Sequence, residues 1–175
     1  MKNVIFIVFA LVACLAACSS NDAPQIPANK LPVDHTKENL IEYNKQYMEY
    51  EDDEINKYID SLHLQMDKAS SGIRYKLNLC SKVKPTPGCK VNITYSVSLL
   101  DGTSCPDLTN KTTTVEFGKG KLPVGFEIIL GILGKGGSGD FIIPCMLAYG
   151  VSGRENCIPP YSPVRCSITL NNIEF

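Results

Sequence analysis

The sequence predicts an α+β fold, a curved antiparallel β-sheet wrapped on one short α-helix and preceded by a helical segment. Three patterns carry that expectation. Apolar residues alternate over Ile73, Tyr75, Leu77 and Leu79, over Val91, Ile93, Tyr95, Val97 and Leu99, and over Val164, Cys166, Ile168 and Leu170. A period of two marks half-buried strands of an antiparallel sheet. Phe126, Ile129, Leu130 and Leu133 instead follow the i, i+3, i+4, i+7 spacing of a short amphipathic helix, and Gly134 stops it. From His35 to about Met66, the residues Ile41, Met48, Ile55 and Leu62 recur at helical spacing with Leu40, Tyr47, Tyr58 and Ile59 beside them.

The chain has 175 residues, 44% hydrophobic and 20% charged, which suffices for one domain plus extras. A net charge of -1 without a basic stripe removes nucleic acid as a partner, because holding a phosphate backbone takes clustered Lys and Arg. Met1-Lys2-Asn3 precedes an apolar run from Val4 to Ala17, too short to cross a bilayer comfortably and suited to the core of a secretory signal, so 1–17 reads as a signal peptide. Leu15-Ala16-Ala17-Cys18 resembles the bacterial lipoprotein box, which implies lipid on Cys18. Leu11-Val12-Ala13-Cys14 fits the same pattern, but cleavage there would leave apolar residues behind. Residues 18–33 hold Pro24, Pro27 and Pro32 among polar residues and read as an extended tether.

Residues 34–70 form the helical segment, with Asp34 or Thr36 able to cap its start. Glu51-Asp52-Asp53-Glu54 suits either a solvated face or the first turn of a second helix. Its periodicity fits a helix docked on the neighbouring domain and a dimerisation helix equally. Ser70-Ser71-Gly72 breaks the pattern and opens the sheet domain, 71–175, in which Val115 with Phe117 and Phe141 with Ile143 mark two further strands.

Pro144 to Pro160 is a long loop bounded by prolines and carrying Gly150 and Gly153. Fixed φ at proline and permissive φ at glycine give such a loop a defined path. Tyr149 and Ile158 are then apolar groups on a held loop, a common way to present a binding site. Of eight cysteines, six remain once Cys14 and Cys18 are set aside, an even number that implies disulfides in an exported chain. Paired Cys-x-x-Cys ligands are missing and His35 and His63 both fall in the helical segment, so neither a metal site nor a histidine-activated cysteine nucleophile is expected.

Leu147-Ala148-Tyr149-Gly150 followed by Ile158-Pro159-Pro160 resembles the signature loop of the FKBP family of peptidyl-prolyl cis-trans isomerases. Phe117-Gly118-Lys119-Gly120, Gly125-Phe126-Glu127, Tyr95 and the Asp101-Gly102 turn resemble further family elements, in family order from about Gly88 to Phe175. The resemblance implies a site without cofactor that binds proline-containing polypeptides. Tyr95 and Phe126 would form wall and floor, Phe126 in place of the common Trp; Leu122 would close the rim, Tyr149 donate its hydroxyl to a substrate carbonyl, and Ile158 pack from the signature loop.

Several positions depart from the family pattern. Pro123 stands where an isoleucine N–H is usual, and proline has none to give. Pro106 replaces an acidic pocket residue, for which the adjacent Asp107 is the candidate substitute. Cys105 and Cys166 replace two pocket aromatics and Thr113 a third, which implies a Cys105–Cys166 bridge across the pocket wall. Cys80 and Cys89 flank a proline-containing turn and Cys145 and Cys157 flank the signature loop, giving the other two expected pairs. Some secreted members of the family pair through N-terminal helices, so the resemblance adds a homodimer through this segment as the alternative to a helix docked on the neighbouring domain. The whole reads as a lipid-anchored folding helper of the bacterial cell envelope, on the periplasmic or outer membrane face, with weakened isomerase activity. The alternatives are a catalytically silent binding module or chaperone of the same fold and a structural envelope lipoprotein.

Overall fold

In the computed structural model the described residues are 37–175. The expected signal peptide, the Cys18 lipidation site and the tether lie outside them. Among the described residues two α-helices and six strands follow in the order α1 (Lys37–Ser61), β1 (Asp67–Lys68), β2 (Arg74–Leu79), β3 (Lys90–Leu99), β4 (Lys111–Glu116), α2 (Val124–Leu133), β5 (Ser138–Ile143) and β6 (Val164–Glu174). The strands form one sheet of order β1-β2-β5-β6-β3-β4, antiparallel at every neighbour. This is the expected α+β architecture.

Alternation in β3 does what a period of two dictates. Val91, Ile93, Tyr95 and Val97 are buried, while Asn92, Thr94 and Ser96 face outward and bond across to Thr114, Thr112 and Asn110 on the β4 side. In β6 the inward set is Val164, Cys166, Ile168 and Leu170, and then the parity changes. The register slips opposite Asn92 and Ile93, leaving Asn171 as the extra residue of a bulge, so Ile173 is the next to return to the core. The Asn171 amide donates to Asn92 at 2.8 Å and Thr94 at 2.9 Å, which fixes the bulge. The alternation expected to bury Leu77 and Leu79 fails, because both are exposed. β1 covers β2 only at Arg74 and Tyr75, and the β2–β5 register slips between Leu77 and Leu79, so the end of β2 runs out as an edge.

Helix α2 buries Phe126, Ile129, Leu130 and Leu133 in the main core and packs on β5 and β6. Pro123 stands at its N-cap, and Gly134, at φ 69°, ends it as the sequence predicts.

By compactness the chain divides into Met1–Tyr43 and Asn44–Phe175. Of the first unit the described part is the opening of α1, where Leu40, Ile41 and Tyr43 are exposed. In the second unit α1 runs unbroken through Glu51 to Glu54, so no second helix starts there. Of the seven-residue series only Ile55 is buried. It and Ile142 are fully buried yet lie outside the main core cluster. Ile142 pairs with Arg74 on one side and Arg165 on the other, a row on the sheet face opposite Phe141 and Ile143. Helix α1 reaches that row by side chains: Asp52 accepts from Arg74 at 2.7 Å and from Lys68 at 2.8 Å, Asn56 accepts from Arg74 at 2.8 Å, and the Tyr58 hydroxyl meets Arg165 at 3.4 Å. The sheet is therefore covered on one face by α2 and, over β2, β5 and β6, on the other by α1.

Candidate active site

Strand β3 brings Tyr95 to the inner face, and α2 brings Phe126 against it. The rings meet edge to face, with centroids 5.3 Å apart and planes at 84°. Phe126 is 1% exposed and Tyr95 8%, so the pair is buried in the core. Ile158 from the signature loop is buried in the same cluster, and Leu122 and Tyr149 pack on it half-buried. These five residues of the same core come from a strand, a helix, the turn before that helix and one loop.

The loop holds its course through its own backbone. After a 3-10 turn at Cys145–Leu147, the Gly150 N–H donates to the Cys145 carbonyl at 2.7 Å. Arg154 and Ile158 then exchange N–H···O bonds of 2.7 and 2.9 Å, closing a small hairpin. Gly153 sits just before it at φ 62°, where a Cβ would lie 2.2 Å from the Ile158 carbonyl oxygen. Only glycine fits that closure. A cavity of about 450 Å³ opens along this segment, lined among others by Ser152, Arg154, Asn156, Cys157, Ile158 and Pro159.

Burial pushes the Tyr149 phenol up to about 12, helped by nearby Tyr95 and partly offset by nearby Arg154. Burial likewise raises Tyr95, with Arg154 again opposing. Arg154 is the site residue that the sequence reading missed. Its place between two tyrosines exists only once β3 and the loop are folded together, and no spacing announces it.

Asp107 lies in the 3-10 turn Pro106–Leu108 with its side chain 85% exposed, 3.9 Å from Arg154, while the same turn buries Leu108. Pro123 packs as the N-cap of α2, its carbonyl accepting the N–H groups of Phe126 and Glu127.

The disulfide pairing also differs from expectation. Cys105 is bonded to Cys157, with Cα atoms 5.4 Å apart, and Cys166 is free. The Cys105 N–H donates to Val97, and Val97 is the partner of Cys166 on the other side of β3. Two strand spacings, about 10 Å, separate them, beyond the roughly 7 Å that a disulfide spans. Cys80 and Cys89 remain free because Cys80 is exposed beside Ser81, which bonds to the end of α2, whereas Cys89 is buried and bonds to Phe117. Cys145 is free too, turned towards α1, where Glu51 accepts its N–H. Burial pushes its thiol up to about 12 and that of Cys166 up as well, so neither is a ready thiolate.

An antiparallel sheet packed on one helix, with a Tyr95–Phe126 aromatic pair in its core beside a proline-bounded loop, defines a class that the comparisons with known proteins identify. Residues 81–171 match the FKBP-type peptidyl-prolyl cis-trans isomerase family, and the chain belongs to it. It is 32% identical over 111 residues to FK506-binding protein 2 of Dictyostelium discoideum, covering 61% of this chain and 81% of that one. It is 30% identical over 93 residues to the macrophage infectivity potentiator of Trypanosoma cruzi, covering 53% of this chain and 47% of that one, so it spans about half the length of that relative. Among solved structures it resembles the crystal structure of FkpA from Escherichia coli, with a TM-score of 0.60 at 21% identity over 78% of this chain and 64% of that one, a likeness of fold.

Proposed function

We propose that the chain is a peptidyl-prolyl cis-trans isomerase that helps exported polypeptides fold, tethered by lipid on Cys18 to a bacterial envelope membrane. The observation that supports the isomerase reading is the Tyr95–Phe126 pair, packed in one core cluster with Ile158 and a half-buried Tyr149 whose phenol keeps its proton. Rotation about an X–Pro bond must twist an amide of partial double-bond character over a barrier of roughly 20 kcal/mol. Water stabilises the planar, charge-separated amide. A site that seats the proline ring on buried aromatics strips that water and favours the twisted form, with no acid, nucleophile or cofactor. Tyr149 anchors a neighbouring carbonyl, so the rotation proceeds on one side of a fixed point.

Pro123 favours a second reading. Without an N–H at the mouth of the bowl the chain would grip substrate carbonyls less well, and a binding module of the same fold would result. The deciding experiment follows isomerisation of a short X–Pro peptide by the folded protein, with Tyr149→Phe beside it. Turnover that drops by about tenfold or more in the variant supports the enzyme, since one lost hydrogen bond in the transition state is worth that much. Absence of turnover from folded protein leaves the binding module. Lipid anchoring is tested by fatty-acid labelling, which Cys18→Ala should abolish, and pairing through the N-terminal helices by the mass of the protein in solution.

A further inference from the structure

Helix α1 touches the signature loop at both of its feet. At the first foot the Glu51 carboxylate, 3% exposed, accepts the Cys145 N–H at 2.7 Å. That N–H opens the 3-10 turn and has no partner of its own within it, as at any helix start. At the second foot the Tyr47 hydroxyl donates to the Tyr161 carbonyl, and the two rings meet edge on with centroids 5.1 Å apart. Tyr161 holds a positive φ of 56°, uncommon for a residue with a side chain. The feet are also joined to each other, the Tyr161 N–H donating to Gly150 at 3.1 Å and the Gly150 N–H to Cys145 at 2.7 Å. Tyr47 and Glu51 are four residues apart, hence neighbours on one face of one helix.

A buried carboxylate is a costly way to fill space. Desolvation raises the Glu51 carboxyl, only partly countered by the Cys145 bonds and reinforced by Asp52, so the protein tolerates an unfavourable group there. An apolar residue would pack without that penalty. What it could not do is accept the Cys145 N–H. The loop fixed in this way carries Tyr149, Arg154 and Ile158, the loop half of the candidate site, whereas Tyr95 and Phe126 belong to the sheet and α2.

We infer that Glu51 and Tyr47 are positioning residues of the isomerase site: from outside the bowl, α1 sets the path of the signature loop and thereby the place of the Tyr149 hydroxyl over the bound proline. This rests on the isomerase reading above. The helix is then a working part of the site as well as a covering for the sheet.

The test uses the full chain and compares wild type with Glu51→Ala, Glu51→Gln and Tyr47→Phe. Isomerisation of an X–Pro peptide is resolved into kcat and KM, and amide exchange is followed over residues 145–161 and over β3. Glu51→Ala is expected to lower kcat about tenfold, with KM near the wild-type value, because the seat of the proline ring is untouched while the donor above it is displaced. Exchange should quicken over 145–161 and stay slow in β3. Glu51→Gln, whose amide oxygen can still accept the Cys145 N–H, should recover kcat to within about twofold. Tyr47→Phe removes one hydroxyl from a folded protein and should act in the same direction, more weakly. Wild-type kcat in Glu51→Ala and Tyr47→Phe overturns the inference while leaving the isomerase intact, and so does a Gln variant as slow as the Ala one with exchange over the loop unchanged. A wild-type chain without turnover overturns the isomerase reading, and this one with it.

Discussion

Tyr149 and Gly153 show how single positions in the loop govern its chemistry. With its phenol pushed up to about 12, Tyr149 keeps its proton through the whole neutral range. Its share of activity should therefore be flat from about pH 6 to pH 9, where an unperturbed tyrosine at about 10 would begin to lose donor strength near the upper end. The linked effect on stability has a definite sign. A folded value above the unfolded one favours the native state below about pH 10, and that contribution is lost as pH rises through about 12. An alkaline unfolding series, compared with Tyr149→Phe, measures it. Gly153→Ala would place a methyl group against the Ile158 carbonyl at a φ that costs an L-residue about 1–2 kcal/mol before any clash. Denaturant unfolding should register at least that loss, and kcat/KM should fall with it as the Arg154–Ile158 hairpin opens.

The signature loop and the connection between β3 and β4 are joined by the Cys105–Cys157 bond across a sequence separation of 52 residues. Closing a loop of that length in the unfolded chain is worth about 4 kcal/mol, so Cys157→Ser should lower unfolding stability by an amount of that order, whereas Cys80→Ser should change little because Cys80 is exposed and unpaired. These elements also mark how far the sequence could be read. Strand β3, β6 up to Leu170 and helix α2 were legible because each buries one face of a regular repeat, and periodicity reports burial directly. The bulge at Asn171, the exposed end of β2 and the single course of α1 through its acidic cluster depend on what lies on the neighbouring strand, which no local pattern contains. The same division runs through the site. Tyr95, Phe126, Tyr149 and Ile158 could be singled out because motifs that resemble the family's stand at those positions, and the fold packs them in one core cluster. The partner of Cys105 could not, since it is settled by Val97 lying between Cys105 and Cys166, nor could Arg154 or Glu51, whose roles arise from contacts across 59 and 94 residues.

Docking of α1 ties the N-terminal part of the second unit to the sheet through one charged row, with Ile55 fully buried beside it on the helix. Ile55→Ala should cost about 2–5 kcal/mol in unfolding stability, measurable by denaturant unfolding. The charged row makes a prediction about acid. Burial alone would raise Asp52, but hydrogen bonds from Lys68 and Arg74 and their charges outweigh it and hold the carboxyl below its ordinary value. Its contribution is present above about pH 4 and is lost as pH falls through that lowered value. Glu51, one residue earlier, has the opposite sign. Its carboxyl is raised by desolvation, so the native state is favoured when Glu51 is protonated and that advantage fades as pH rises through the raised value. Acidification thus weakens one clasp of α1 while relieving the other, and in the wild type the two partly cancel. Glu51→Gln keeps the acceptor for Cys145 but no longer titrates, leaving Asp52 unopposed. Stability of that variant should fall more steeply than wild type between about pH 6 and pH 3, while Asp52→Asn, with only Glu51 left to respond, should fall less. Thermal unfolding of the three proteins across that range tests the pair, and parallel curves for all three would show that neither carboxyl couples docking of α1 to pH.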